Sequence, residues 1–100
     1  MATYLIMGKF TEQGIRNVKE TTARADRFKE IAKECGVEVK EIMWLLGDYD
    51  VINIVEADSD LSISALLLRV GAWGNVRTTT YRAFSNKEMD EIIKKVDATK

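Results

Sequence analysis

Two apolar, β-prone runs flank a short polar segment in the middle of the chain, and this pattern constrains the fold more than any other. Residues 42–46 precede the segment Gly47-Asp48-Tyr49-Asp50, and residues 51–55 follow it. Glycine accepts positive φ, and aspartate bonds readily to nearby backbone, so both residues favour a chain reversal. The pattern predicts a β-hairpin with a tight turn at the centre of the molecule.

Four segments are rich in β-branched, aromatic or alternating apolar residues and are predicted to form strands. They are residues 3–10, 37–46, 50–57 and 75–84. Between the first strand and the first long helix, we expect a turn at residues 11–14 and a short helical turn at residues 15–18.

Three segments carry apolar residues at three- and four-residue spacing, which is typical of amphipathic helices. The first helix is predicted to begin after Thr22 as N-cap and to end at Gly36, whose position is typical of a C′ glycine. The second covers residues 61–70. Ser85 and Glu88 form the pattern of a capping box, which predicts the start of a C-terminal helix.

The order of these elements is β-α-β-β-α-β followed by one helix. It predicts an α+β fold of the ferredoxin-like βαββαβ type, with a four-stranded antiparallel sheet that carries both long helices on one face. One hundred residues are enough for one domain, so residues 1–100 are expected to form a single ferredoxin-like domain. The tail at residues 97–100 is predicted to fray.

The sheet face away from the helices is predicted to be an interface. Strand 1 places Tyr4, Ile6 and Phe10 on one side and Leu5 and Met7 on the other, and neither set is polar enough to face water. A large apolar surface marks an interaction site. The simplest way to cover it is a second copy of the chain, so a homodimer or higher homo-oligomer is expected.

Composition narrows the classes of partner and cofactor. Fifteen basic and 16 acidic residues give a net charge of −1, so neither a nucleic-acid nor a membrane partner is expected. The N-terminal sequence has no leader pattern, and Cys35 is the only cysteine, so a cytoplasmic location is predicted. The sequence contains no histidine, so we expect no metal site and no cofactor.

The residues around the central turn resemble those of GYD-domain proteins. The resemblance also covers residues 4–16, 24–28, 74–78 and 83–84. It implies membership of the dimeric α/β-barrel superfamily, in which two sheets enclose an interior. That superfamily includes cofactor-free monooxygenases of the antibiotic-biosynthesis type, muconolactone isomerases, haem enzymes such as chlorite dismutase, and ligand-sensing regulator domains. The absence of histidine argues against haem here.

Three functions are compatible with the sequence. The first is binding of an apolar or aromatic small molecule in the cavity between the sheets. The second is catalysis of the cofactor-free monooxygenase or isomerase type, which needs a pocket that desolvates and deprotonates its substrate. The third is a structural assembly module. Whether the chain is an enzyme is left open at this point.

Seven residues are candidates for ligand binding. They are Tyr4, Arg16, Trp44, Tyr49, Asn53, Arg77 and Tyr81. Most of them combine an apolar body or an apolar setting with a polar group that could orient a ligand. The alternatives are interface packing for the sheet residues, turn chemistry for Tyr49 and a surface ion pair for Arg16. Trp73 is predicted to be a subunit contact and Cys35 a buried structural thiol.

Overall fold

The computed structural model describes residues 1–98 and has the predicted order of elements. The strands are β1 Ala2–Phe10, β2 Val37–Trp44, β3 Val51–Ala57 and β4 Val76–Ala83. The helices are α1 Glu12–Arg16, α2 Thr21–Glu34, α3 Asp60–Ala72 and α4 Asn86–Ala98, with a 3-10 turn at Val18–Glu20. The ferredoxin-like α+β prediction is confirmed.

The sheet has the order β2-β3-β1-β4, and every neighbouring pair is antiparallel. The core lies between one face of this sheet and the helices α2 and α3. Ile6 of β1, Val55 of β3 and Leu66 of α3 are its largest fully buried side chains. At roughly 25 cal/mol per Å² of apolar surface, burial of such side chains is the main stabilising term. The opposite side of the sheet, here called the open face, carries no helix from α2 or α3.

The central hairpin is wider than predicted. β2 ends at Trp44 and not at residue 46, so residues 45–50 form a loop. Asp50 holds this loop: its N–H donates to Gly8 O at 2.8 Å, its carbonyl accepts from Leu45 N at 2.8 Å, and its Oδ2 accepts from Phe10 N at 2.8 Å. The tight-turn prediction was wrong because Asp50 bonds to the end of β1 as well as across its own hairpin.

The first connection is also more ordered than predicted. The expected turn at residues 11–14 is the start of α1, with Thr11 as N-cap and its Oγ1 accepting from Gly14 N at 3.1 Å. Thr22 is not the N-cap of the long helix. α2 begins at Thr21 without a side-chain cap, because the 3-10 turn already leads the backbone into helical geometry. Gly36 has φ of 79°, which confirms the predicted C′ glycine.

α4 begins at the predicted capping box. Glu88 N donates to Ser85 Oγ at 3.1 Å, and Ser85 N donates to Glu88 Oε1 at 2.9 Å. The carboxylate also accepts from Arg82 Nη2 at 2.8 Å. The prediction of a frayed tail was wrong for Asp97 and Ala98, which are helical; residues 99–100 lie outside the described part of the chain.

The capping box makes the stability of α4 dependent on pH. The backbone N–H of Ser85, and next the Arg82 guanidinium, lower the pKa of Glu88 from 4.5 to about 2. Because the folded-state pKa is the lower one, the stabilisation is complete above about pH 4.5 and is lost as the pH falls through 2. We expect the helical circular dichroism signal to fall within this window. Glu88→Gln should remove that acid-sensitive component, and Glu91→Gln, on the same helix, should keep it.

Candidate ligand-binding pocket

An apolar pocket lies at one end of the helix-facing side of the sheet. β1 and β2 end there, β3 and β4 begin there, and the first half of α2 and the end of α3 cover it. The cavity holds about 70 Å³. The buried side chains of Ile6, Phe28 and Val70 form its inner walls. The pocket and the open face therefore lie on opposite sides of the sheet.

Two tryptophans form the rim of the pocket. Trp44 is 43% exposed, and its indole N–H donates to Thr21 Oγ1 at 3.0 Å. This bond ties the end of β2 to the start of α2. Trp73 follows α3, and the guanidinium carbon of Arg27 lies 5.0 Å from the centre of its ring. The rim is thus made of aromatic surfaces held by single polar contacts, an arrangement suited to an apolar ligand.

Asn53 places an amide in the wall of this pocket. It lies on the helix-facing side of β3, between Val51 and Val55 of the same side, and only 8% of it is exposed. Its Nδ2 donates to Ile6 O at the long distance of 3.4 Å. A buried amide costs free energy unless it is well hydrogen-bonded. Asn53 is therefore the polar group in the pocket that is best placed to orient a ligand.

Thr11 and the start of α1 are hydrogen-bonded to the segment before β4, and this contact, here called the clamp, supports the rim. Thr11 N donates to Asn75 O at 3.0 Å, while Gln13 Nε2 donates to Trp73 O and to Asn75 Oδ1 at 2.9 Å each. Gly14 is buried against the backbone of Asn75. Arg24 lines the pocket and donates to the backbone carbonyls of Gly14 and Asn17.

Tyr49, Arg77 and Tyr81 do not line this pocket. Tyr81 and Arg77 lie on the open face of β4, where they pair with Leu5 and Lys9 of β1. A hydrogen bond with Thr79, and next one with Tyr81, lowers the pKa of the Tyr49 phenol, and the bond to Tyr49 raises the pKa of Tyr81. These residues form a polar group at one end of the open face.

Tyr4 and Arg16 are separate from both groups. Tyr4 is a core residue, and its hydroxyl donates to Asp60 Oδ1 at the start of α3. That hydrogen bond raises the pKa of the Tyr4 phenol. Arg16 lies on the surface in an ion pair with Glu12 at 3.3 Å. The hydrogen bond between Tyr4 and Asp60 stabilises the fold. The ion pair between Arg16 and Glu12 agrees with the alternative that the sequence left open for Arg16, a surface ion pair.

The structure thus brings only Trp44 and Asn53 of the seven candidates to the pocket, on the side of the sheet away from the expected inter-sheet cavity. Sequence reasoning missed the contribution of α2. Thr21, Arg24 and Phe28 lie at i, i+3 and i+7, so helical periodicity could have grouped them. Trp73 also lines the pocket, and its role as a subunit contact stays a prediction. Cys35 is partly buried against the core, close to its predicted position.

Neither a cluster of metal-ligating side chains nor a membrane-spanning helix is found among residues 1–98. No group of three or more acidic or cysteine side chains there is arranged to hold a metal ion. None of the helices in that range has the length and apolar content needed to cross a bilayer.

The match to known proteins decides the family. Residues 4–93 fit the family model of the GYD domain. The chain belongs to the GYD-domain family. The hairpin loop with Gly47, Tyr49 and Asp50 and the clamp that follows β1 both lie within the matched range of this GYD domain.

Other proteins resemble this GYD domain more distantly. A protein named glutamine synthetase and cystathionine beta-lyase binding protein, from Thermus thermophilus, is 27% identical over 84 residues, covering 83% of this chain and 88% of that one. TTHA0845 from the same organism has a TM-score of 0.56 at 20% identity, with coverage of 85% and 95%.

A feast or famine regulatory protein of M. tuberculosis, solved with L-methionine, has a TM-score of 0.65 at 16% identity. The match covers 86% of the GYD domain but only 52% of the regulator. At this identity the likeness shows the fold alone. The GYD domain thus has the same ferredoxin-like fold as a domain-sized part of a regulatory protein.

Proposed function

We propose that this GYD-domain protein is a small binding module that takes an apolar or aromatic small molecule into the pocket between the sheet and the helices α2 and α3. The observation that carries the proposal is Asn53, a buried amide with one long hydrogen bond in an otherwise apolar wall. An apolar pocket with a few directing polar groups is the usual form of a small-molecule site.

The size of the cavity limits what it can hold without movement. About 70 Å³ is less than half of the roughly 150 Å³ that accommodates benzene in an engineered protein cavity. A larger ring needs one wall to move. Trp44 is the side chain best placed to do so, because it is 43% exposed and its indole makes a single hydrogen bond, to Thr21. The ligand class is therefore a small ring or branched apolar group with one polar atom.

The chemistry of the pocket favours binding over catalysis. Among the described residues that line it, Arg24 is the one charged side chain, and none is a carboxylate, imidazole or phenol that could act as a general base. Oxygenation or isomerisation without a cofactor needs a group that can take a proton from the substrate. The tyrosines with altered pKa values, Tyr4, Tyr49 and Tyr81, lie outside the pocket.

Replacement of Asn53 by leucine tests the proposal. Indole can donate its N–H to the Asn53 amide oxygen and benzene cannot, so the protein should prefer indole, measured by NMR titration. Asn53→Leu should weaken indole binding about 10-fold, which corresponds to one lost hydrogen bond, and leave benzene binding unchanged. The free energy of unfolding should stay the same or rise by about 1 kcal/mol, because a poorly bonded amide is removed.

Thr79→Val is the matched control, since it removes a polar group from the open face. It should leave indole binding as in the wild type. If Asn53→Leu binds indole as tightly as the wild type does, the amide does not direct a ligand and the proposal is wrong.

Protein association is a second candidate function, which the open face favours. Its centre is apolar and half-exposed, formed by Leu5, Met7, Met43, Ile52 and Ile54. The printed name of the Thermus relative, a protein that binds two enzymes, supports an interaction role. The first partner to consider is a second copy, which would make a homodimer, and a structural assembly module is the broader form of this candidate. The mass of the protein in solution tests it.

A further inference from the structure

The wall of the pocket contains a cationic side chain that no carboxylate neutralises. Arg24 lies in the first half of α2, is partly buried and lines the pocket. Its guanidinium forms no ion pair with any carboxylate of residues 1–98. A partly buried charge loses some of its hydration, and only a partner of opposite sign compensates that loss. The position of Arg24 therefore favours a ligand that brings a negative charge.

Two main-chain carbonyls hold the Arg24 guanidinium in place. Its Nη1 donates to Asn17 O at 2.8 Å, and its Nη2 donates to Gly14 O at the longer distance of 3.4 Å. A guanidinium has further N–H groups, and the Nε–H of Arg24 has no acceptor among residues 1–98. Because carbonyl oxygens carry no net charge, these two bonds orient the guanidinium without neutralising it. Its free N–H groups can then bind a carboxylate.

The charged residues around the pocket leave this charge uncompensated. Glu20 and Asp26, the acidic residues nearest to Arg24 in the sequence, form no ion pair with it. Asp50 does not line the pocket, and its Oδ2 bonds to the main chain of β1. Arg27 lies against the rim and adds a second positive charge on the side of α2. The helix side of the pocket is therefore suited to an anion.

We propose that the ligand of this pocket is an aromatic or branched carboxylate, with its apolar group inside the pocket and its carboxylate on the Arg24 guanidinium. This inference rests on the proposed function, a small-molecule pocket, and adds the charge of the ligand and the residue that selects it. Asn53 and Arg24 have separate roles. The amide orients the apolar group from the sheet, and the guanidinium selects the anion from α2.

The other groups of the wall favour a carboxylate over a larger anion. Arg24 is the one charged side chain among the described lining residues, and the walls around it are mostly apolar. Thr21, next to it in the lining, already accepts the indole N–H of Trp44. A phosphate would leave several charged oxygens without donors, which costs free energy in an apolar setting. A single guanidinium matches the two oxygens of one carboxylate.

A pair of ligands that differ mainly in charge tests the proposal. Indole-3-carboxylate and indole-3-carboxamide have nearly the same shape, so the ratio of their dissociation constants reports on the charge. The wild type at low salt should bind the carboxylate about 10-fold more tightly, as expected for a charge-assisted contact that is partly exposed. The preference should fall in about 1 M salt, where the screening length is about 3 Å. NMR titration measures both constants, with indole as the uncharged reference.

Substitutions of Arg24 assign the preference to one side chain. Arg24→Gln should remove the preference, and Arg24→Lys should retain about 3-fold, because lysine keeps the charge but not the planar fork. Lys29→Gln is the matched control, since it removes one positive charge from the same helix at a residue that does not line the pocket. It should keep the wild-type preference. The Nε–H signal of Arg24, identified by its absence in Arg24→Lys, should shift with the carboxylate and not with the carboxamide.

The possible failures are distinct. A wild type that binds none of the three ligands would remove the pocket function and this inference together. A wild type that binds indole but does not prefer the carboxylate would keep the pocket and overturn the inference. An equal loss of preference in Arg24→Gln and Lys29→Gln would also overturn it, because the overall charge of α2 would then be responsible. If Arg24→Gln does not fold, Arg24→Lys and the wild-type Nε–H signal decide.

Discussion

Replacement of Gly14 by alanine is expected to lower the free energy of unfolding by about 3–5 kcal/mol, since it combines overpacking with the loss of hydrogen bonds. A Cβ at Gly14 would lie 2.0 Å from the carbonyl oxygen of Asn75 and 2.9 Å from its carbonyl carbon. Both atoms belong to the backbone, so no side-chain rotation relieves the contact. The clamp would have to open, and the bond from Thr11 N to Asn75 O would be lost with it.

The same change should abolish indole binding, because Trp73 and Asn75 form part of the pocket and both depend on the clamp. Urea unfolding measures the stability and NMR titration measures the binding. Gly71→Ala is the control: a Cβ there meets no atom within 4 Å, and alanine inside α3 should raise stability by about 0.5–1 kcal/mol. A Gly14→Ala protein as stable as the wild type would show that the clamp is not a structural support.

Replacement of Phe28 by alanine should also cost about 3–5 kcal/mol, the usual loss for a buried phenylalanine. Phe28 is 7% exposed and forms an inner wall of the pocket, so its removal should enlarge the 70 Å³ cavity to a size that admits benzene without movement of Trp44. Benzene should then stabilise the variant by about 1–3 kcal/mol when it is well above its dissociation constant. Thermal unfolding with and without benzene measures this gain.

Phe28→Leu is the matched control for that experiment. Leucine retains most of the wall, so both the loss of stability and the gain from benzene should be smaller. If benzene stabilises Phe28→Ala no more than the wild type, the space next to Phe28 is not continuous with the pocket. That outcome would leave the proposed ligand site without the volume it needs.

The two candidate functions use opposite sides of the same strand. In β3, Asn53 lies in the pocket wall, whereas Ile52 and Ile54 lie on the open face. Because successive side chains of a strand point to opposite faces, neighbouring residues contribute to different sites. Variants on the two faces can therefore separate ligand binding from self-association.

Much of this structure could be predicted from local sequence signals. The order of strands and helices follows from periodicity, and the C′ glycine Gly36 and the capping box of Ser85 and Glu88 lie where the sequence places them. Such signals act over a few residues, because caps and helical contacts join positions three or four apart. The residues around Gly47, Tyr49 and Asp50 also indicated the GYD family, which the match over residues 4–93 confirms.

The position of the candidate site was decided only by the tertiary structure. In several strands the odd-numbered and the even-numbered residues are both apolar. The alternation of residues along a strand therefore could not tell which side of the sheet Trp44 and Asn53 would face. An irregularity between Val39 and Glu41 shifts the register of β2 as well. The pocket also depends on Asp50 bonding to Phe10 and Gly14 lying against Asn75, contacts between residues far apart in the chain. Local patterns encode the elements, but only packing of the whole chain brings those distant residues together.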